Sequence, residues 1–139
     1  MSAIDQTLKI HGLRSTFFRN QVLEIFHKSD YALSLSDIED YLKEFDRITL
    51  YRTLKSFEEK GLIHKISDNT GITKYAACES ACSEDHHHHQ HVHFHCEMCL
   101  KSYCIDVAAV PNVVIPEGYK IFSKEMLLKG ICKDCSHKK

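Results

Sequence analysis

The sequence predicts an α+β protein built from two units, and three patterns support this division. Apolar residues recur at helical spacing in the first half, two short alternating runs surround a turn in the middle, and two Cys-x-x-Cys pairs lie in the second half. With 139 residues and 43% hydrophobic content, the chain can form one ordinary domain or two small ones. We place the first unit at residues 1–84, with a hinge at about 79–85, and the second at residues 85–139.

The helices of the first unit are predicted in chain order. Apolar residues between Arg14 and His27 recur at helical spacing. Ser36 and Glu39 match a Ser-x-x-Glu capping box, which predicts that a second helix begins there. Asp46 is expected to cap a third helix over residues 47–60. The apolar face of this third helix is assigned to Ile48, Tyr51, Leu54, the stem of Lys55 and Phe57.

A β-hairpin is predicted after the third helix. Residues 62–66 and 72–75 alternate in polarity and flank Asp68-Asn69-Thr70-Gly71, which is a strong turn signal. Three helices followed by a hairpin form a winged helix-turn-helix, whose last helix enters the major groove of DNA. The net charge is only −1, and residues 1–84 carry 11 basic and 13 acidic side chains, so a DNA-facing surface must come from their arrangement.

The second unit is predicted to be a small α/β domain. Strands are expected at residues 91–95, 102–106 and 119–128, while Pro111 and Pro116 argue against a long helix between the last two. A unit of this size has a marginal core and commonly needs a metal ion for stability.

The four cysteines of the two Cys-x-x-Cys pairs predict a structural zinc site. No apolar stretch could span a membrane and no secretory signal opens the chain, so we expect a cytoplasmic protein with reduced thiols. Cys96 and Cys99, followed by Cys132 and Cys135, offer four thiolates for a tetrahedral ion. A redox pair or unbound core cysteines are the alternatives. Because four thiolates leave no open position for water, an enzyme is not expected.

The remaining histidines and cysteines are less decisive. The run His86–His89 is typical of a loop that binds metal weakly, since four consecutive residues cannot face one ion from a regular element. Alternation along a strand places His91, His93 and His95 on one face, where a metal-binding and a solvated role are equally open. By itself, Cys78 is expected to be a small buried apolar residue. Cys82 is expected to be exposed in the hinge, and Cys104 is ambiguous.

Three segments resemble the ferric-uptake-regulator (Fur) family. They are Thr49–Leu54 with Glu58–Ile63, the His-rich strand leading into Cys-x-x-Cys at His91–Cys99, and Gly-x-Cys-x-x-Cys at Gly130–Cys135. The resemblance extends from Arg14 to Cys135. It implies a metal-sensing transcriptional repressor that binds double-stranded operator DNA as a homodimer, without contact with a membrane.

The resemblance also implies roles for individual residues. The DNA-contacting positions fall on Thr49, Tyr51 and Arg52. The structural zinc positions fall on Cys96, Cys99, Cys132 and Cys135, and those of the regulatory metal fall on His64, Cys78, His91 and His93. Cys104 occupies a position where some members carry an acidic ligand, so it is either a fifth donor or a substitute. Whether His95 or the run His86–His89 joins the regulatory site is open.

The predicted regulatory ligands favour zinc as the sensed metal. A thiolate with two or three imidazoles is a soft set that suits tetrahedral zinc, whereas iron(II) and manganese(II) prefer more carboxylate oxygen. The first interpretation is therefore a zinc-uptake-type repressor of metal uptake genes, with one structural and one regulatory zinc per chain. An iron or peroxide sensor of the same family is the nearest alternative. A His-rich zinc carrier, from a different class, would leave the helix-turn-helix without a role.

Overall fold

The computed structural model describes residues 2–77, 91–109, 111–122 and 124–137, and for His91 and residues 106–109 it describes the backbone alone. The helices within these ranges are α1 (Ala3–Ile10), α2 (Phe17–Lys28), α3 (Leu35–Tyr41), α4 (Arg47–Glu59) and α5 (Lys133–Ser136). The strands are β1 (Leu33–Ser34), β2 (Ile63–Ile66), β3 (Lys74–Ala77), β4 (His91–Cys96), β5 (Ser102–Ala109) and β6 (Met126–Gly130). None of the described helices is long and apolar enough to cross a membrane. The predicted hinge, together with Cys78, Cys82 and His86–His89, lies outside these ranges.

Helix α3 begins two residues earlier than the sequence predicts. Its capping box is formed by Ser34 and Asp37, which exchange hydrogen bonds of 3.0 and 3.1 Å with each other's backbone N–H groups. The predicted box at Ser36 and Glu39 is therefore wrong. The reason is tertiary, because Leu33 and Ser34 pair with β3 and hold the chain extended up to the cap. Helix α1 is an addition to the predicted elements, and it begins with a similar box at Ser2 and Asp5.

Helix α4 begins after Asp46, as predicted, but its buried face differs from the predicted one. The buried residues are Leu50, Thr53, Leu54 and Phe57. Ile48 and Tyr51 are 59% and 49% exposed, so their assignment to the apolar face is wrong. The stripe at positions i, i+3, i+4 and i+7 from Leu50 accounts for the burial and turns Ile48 and Tyr51 away from the core.

The predicted wing is present as a three-stranded sheet in the order β1-β3-β2. Its turn contains Asn69 and Gly71 at φ values of 64° and 84°, a backbone conformation that asparagine and glycine tolerate best. The face of the wing that carries His64, Ile66, Lys74 and Ala76 is buried, while the opposite face carries Ile63, which is buried in the helical core, and Lys65, which is exposed. Lysine and histidine are seldom fully buried, so His64 and Lys74 on this face require polar partners.

The second sheet has the order β5-β4-β6, with β4 antiparallel to β5 and parallel to β6. The predicted strand over residues 119–128 is wrong in its bounds, because β6 covers only Met126–Gly130 and the described residues 119–122 are irregular. As predicted, residues 111–122 form no helix. The pairing of Cys96 with Gly130 brings the end of β4 beside the segment that carries the second Cys-x-x-Cys pair.

Candidate metal centres and DNA-contacting surface

The first candidate metal centre joins the two Cys-x-x-Cys pairs. Strand β4 ends at Cys96, a turn carries Cys99, and α5 with its N-cap carries Cys132 and Cys135. The four sulfurs all lie within 4.8 Å of one another, and the Sγ atoms of Cys99 and Cys132 are 3.8 Å apart. Zinc–sulfur bonds of about 2.3 Å in a tetrahedron place neighbouring sulfurs roughly 3.8 Å apart. The spacing of this cluster therefore fits a four-thiolate zinc site.

Backbone N–H groups prepare the cluster for a cation. Those of Cys99 and Cys132 donate to the sulfur of Cys96 at 3.4 and 3.3 Å. Burial alone would raise the pKa of Cys96, but these donors outweigh it and lower the pKa to about 6. The pKa of Cys132 is also lowered, chiefly by the backbone of Cys135, whereas its own sulfur raises the pKa of Cys135 to about 12. At neutral pH the cluster thus favours negative charge on some of its sulfurs, which is the form that binds metal.

The second candidate centre combines one residue of the wing with two of the second sheet. The ligand atoms of His64 on β2, His93 on β4 and Cys104 on β5 lie within 4.8 Å of one another. His93 and Cys104 are direct partners in the antiparallel register, so their side chains share a face. His64 and His93 are 3% and 8% exposed, and their rings are 5.5 Å apart between centroids at an angle of 14°. Two imidazoles and a sulfur thus converge in a largely dry space.

The structure does not describe the side chains of the two remaining predicted regulatory ligands, Cys78 and His91. Cys78 follows the last residue of β3 but lies outside the described residues. His91 belongs to β4 by its backbone, and the register of β4 with β5 shifts between His91 and Val92. The role of His91 as a ligand therefore stays a prediction.

Cys104 is the residue whose place sequence reasoning left undecided. A signal was available, because antiparallel pairing of a strand beginning at Ser102 with the strand before Cys96 places position 104 opposite His93. The sequence alone does not fix that register. His95, by contrast, stays out of the cluster, since its Nδ1 lies 2.9 Å from the hydroxyl of Ser102.

The predicted DNA-contacting residues lie together on the outer face of α4. Thr49, Tyr51 and Arg52 are all exposed. The hydroxyl and backbone N–H of Thr49 donate to the carboxylate of Asp46 at 2.8 and 3.1 Å. These bonds lower the pKa of Asp46 and fix the start of the helix. Tyr51 and Arg52 follow in the next turn, on the exposed side of the same helix.

Comparison with known proteins identifies the family of this chain. The ferric uptake regulator family matches the chain over residues 10–128. The chain belongs to the ferric uptake regulator family. It is 31% identical over 134 residues to a ferric uptake regulation protein of Bordetella parapertussis, covering 92% of this chain and 93% of the relative. A ferric uptake regulation protein of Staphylococcus epidermidis is 30% identical over 139 residues, with 96% and 94% covered.

Solved structures of Fur-family proteins share the fold. Holo XcZur superposes with a TM-score of 0.67 at 18% identity, covering 96% of this chain and 94% of that one. A zinc uptake regulator in complex with zinc and DNA gives a TM-score of 0.66 at 23% identity, with 95% and 89% covered. The fold is thus a helical unit with a three-stranded wing, followed by a second sheet that carries the cysteine cluster. As a Fur-family member, the protein is a metal-responsive, DNA-binding transcription regulator.

Proposed function

We propose that this Fur-family regulator is a zinc-responsive repressor of metal uptake genes, with one structural and one regulatory zinc per chain. The observation that carries this proposal is the convergence of His64, from the wing, with His93 and Cys104, from the second sheet. A metal held there would connect the DNA-binding unit to the rest of the protein. Such a connection is what a metal-dependent switch requires.

Zinc is favoured over iron by the chemistry of this cluster. Among the described residues it contains two imidazoles and one thiol but no carboxylate. Imidazole and thiolate suit zinc, whereas carboxylate oxygen suits manganese and other hard ions. Cys78, adjoining β3 and two residues beyond the partner of His64, is our proposed fourth ligand. Iron is the alternative, because the curated relatives at about 30% identity are named ferric uptake regulation proteins.

The cysteine cluster is assigned the structural zinc. A zinc ion there would connect the end of β4 to α5, a helix of only four residues, through Cys96, Cys99, Cys132 and Cys135. Three of these cysteines form the buried centre of a small cluster against Phe94 and Tyr103. A zinc ion there would supply folding free energy that the small apolar core of the second unit does not provide.

The regulatory zinc would act by favouring one arrangement of the two units. Zinc that binds His64 together with His93 and Cys104 binds the closed arrangement better than an open one, in which these ligands separate. A ligand shifts an equilibrium only through such differential affinity. Moving a population from 1:99 to 99:1 takes about 5.5 kcal/mol, a magnitude that one or two additional metal–ligand bonds can supply.

A homodimer and α4 would complete the DNA complex. Large apolar side chains on residues 111–122 are exposed, with Val114 at 99% and Phe122 at 92%. An exposed apolar surface of this kind favours coverage by a partner, here a second copy of the chain. A dimer presents two α4 helices, whose Tyr51 and Arg52 would contact paired half-sites of operator DNA.

Metal analysis combined with DNA binding tests the proposal. Purified protein is titrated with zinc, iron(II) or manganese(II), and binding is measured to a duplex selected from a random-sequence library on the zinc-loaded protein. We expect two zinc ions per chain and DNA binding that rises with the second zinc. Binding that responds to iron(II) alone would favour the iron sensor. Binding of zinc with no metal-dependent DNA affinity would favour a carrier.

A further inference from the structure

A group of buried polar residues joins the wing to the second sheet outside both metal clusters. The carboxylate of Asp68, 2% exposed, accepts hydrogen bonds from Lys74 Nζ at 2.8 Å and from the Ser102 hydroxyl at 2.6 Å. His95 Nδ1 lies 3.5 Å from the same carboxylate oxygen. We call Asp68, Lys74, His95 and Ser102 the polar clasp. Two of its members belong to the wing and two to the second sheet.

Further contacts between the two units surround the polar clasp. The Lys74 ammonium also donates to the carbonyl of Leu100 at 3.0 Å, in the turn that follows Cys99. The backbone N–H of Ala32 donates to the carbonyl of Ser102 at 2.7 Å. Nearby, the Lys101 ammonium lies 4.3 Å from the centre of the Tyr31 ring. The start of β5 is thus bonded to the first unit through side chains and backbone alike.

The polar clasp and the regulatory cluster occupy neighbouring positions of one interface. His95 pairs with Ser102 in the sheet, and His93 with Cys104 is the next pair on the same face. In the wing, the pair Ile66–Lys74 likewise lies two residues from the pair that contains His64. A small apolar cluster of Ala32, Ile66 and Ala76 fills this face. Fixing the polar clasp therefore fixes the approach of His64 to His93.

The bonds of the polar clasp require no metal. None of its four residues belongs to either metal cluster. Lys74 and Asp68 are both on the wing, so they remain near each other in any arrangement of the units, whereas their bonds to Leu100 and Ser102 exist only when the units are closed. Charge-assisted hydrogen bonds in a buried setting are stronger than neutral ones. These bonds favour the closed arrangement before any ion arrives.

We propose that the polar clasp positions the wing for metal binding, so that Asp68 and Ser102 set the zinc concentration at which the protein responds. This inference rests on the proposed regulatory site. The apparent affinity for a ligand falls in proportion to the fraction of protein in the binding-competent state. Residues that hold the closed state therefore raise zinc affinity without touching the ion. Asp68 is a positioning residue in this scheme.

Two variants and a matched control test the role of the polar clasp. Asp68→Asn removes the charge with little change in shape, and Ser102→Ala removes the bond across the interface while leaving the wing intact. Lys65→Met is the control, because Lys65 is an exposed charge of the same wing whose ammonium lies 3.9 Å from Glu58 of α4, on the side of β2 opposite His64. All are studied as the full chain carrying the structural zinc.

The first measurement is hydrogen exchange of the protein holding one zinc per chain. We expect faster exchange at Ala32 and along β5 in both variants but not in Lys65→Met. This readout requires neither DNA nor a second zinc, so it tests the polar clasp even if the proposed function fails. Exchange as slow as in the wild type in both variants would overturn the inference.

The second measurement is occupancy of the second zinc against a competing fluorescent chelator. We expect half-occupancy at about tenfold higher free zinc in each variant, with saturation still at two ions per chain. A merely structural role would lower the melting temperature and leave that midpoint unchanged, which would contradict the inference. Absence of a second zinc in the wild type would instead overturn the proposed function. If Asp68→Asn does not fold, Ser102→Ala alone decides the question by the same two readouts.

Discussion

The imidazole rings of His64 and His93 face each other between the wing and the second sheet, with centroids 5.5 Å apart and planes 14° from parallel. The two residues are 29 positions apart in the chain and come from different sheets. Their meeting, with Cys104 at the same point, gives the protein a place where one ion can connect the DNA-binding unit to the rest. The cysteine cluster lies at the end of the same strand, β4, three residues beyond His93.

Replacing His64 by alanine should remove the regulatory zinc while keeping the structural one. His64 is the ligand that the described part of the wing contributes, so its loss disconnects the wing from the ion. Metal analysis should fall from two zinc ions per chain to one, and DNA binding should lose its zinc dependence. His27→Ala is the control, because His27 is exposed on α2, and it should behave as the wild type. Two zinc ions per chain in His64→Ala would contradict the assignment.

Substitution of Cys104 should change which metal is sensed. Cys104→Asp replaces a soft sulfur by carboxylate oxygen at the position opposite His93. We expect zinc affinity to fall and manganese(II) or iron(II) affinity to rise, since these ions prefer oxygen ligands. Competition titrations with the three metals measure the change. Cys104→Ser, which supplies only a weak oxygen ligand, should lose zinc without gaining manganese. An unchanged order of metal affinities in Cys104→Asp would remove Cys104 from the site.

Cys78→Ser tests the proposed fourth ligand. We expect it to keep the fold, the dimer and the structural zinc and to lose zinc-stimulated DNA binding. Because Cys82 is a nearby thiol in sequence, Cys82→Ser serves as the matched control and should retain the response. Should Cys78→Ser retain the wild-type zinc dependence even when Cys82 and Cys104 are also serine, Cys78 has no role in the switch.

Cys96→Ser should be far more damaging than any substitution in the regulatory site. Cys96 is buried, accepts two backbone hydrogen bonds and ends the central strand of the second sheet. Structural zinc contributes on the order of 10 kcal/mol to folding in small zinc domains. We expect loss of the dimer in analytical ultracentrifugation and loss of ordered sheet in circular dichroism. Cys104→Ser is the control for loss of a thiol, and a stable Cys96→Ser dimer would refute the structural role.

Arg52→Ala should weaken DNA binding without changing zinc content. Arg52 is exposed on α4, and an arginine that pairs with guanine contributes roughly 1–3 kcal/mol. A gel-shift titration measures the loss. Lys28→Ala, which removes one positive charge from the exposed end of α2, is the control and should have a smaller effect. Equal losses in the two variants would indicate general electrostatics in place of a specific contact.

Local signals predicted those parts of the fold that depend on neighbours in sequence. The cap at Asp46 and the turn at Asp68–Gly71 follow from residue type and spacing, and both are present. The predicted start of α3 is wrong because the pairing of Leu33 and Ser34 with β3 makes Ser34 the N-cap, and residue type alone does not distinguish Ser34 from Ser36. The predicted face of α4 is wrong because Ile48 and Tyr51 have apolar side chains that are nevertheless exposed.

The candidate site shows the same limit. The paired Cys-x-x-Cys spacing predicts the cluster of four cysteines, and the structure brings their sulfurs together. The meeting of His64 with Cys104 depends on two strand registers and on how the wing packs against the second sheet. Neither the registers nor the packing can be predicted from residue type and spacing within one segment. The polar clasp is not predictable for the same reason, since Asp68 and Ser102 are 34 positions apart and the turn signal at Asp68 does not indicate a partner in another sheet.

Anomalous diffraction at the zinc absorption edge, from crystals of the zinc-loaded protein, tests the central claim most directly. The account predicts two peaks per chain. One should lie among Cys96, Cys99, Cys132 and Cys135, and the other within about 2.0–2.3 Å of ligand atoms from His64, His93 and Cys104. A second peak that lacks any ligand from the wing, or a single peak in the cysteine cluster alone, would contradict it.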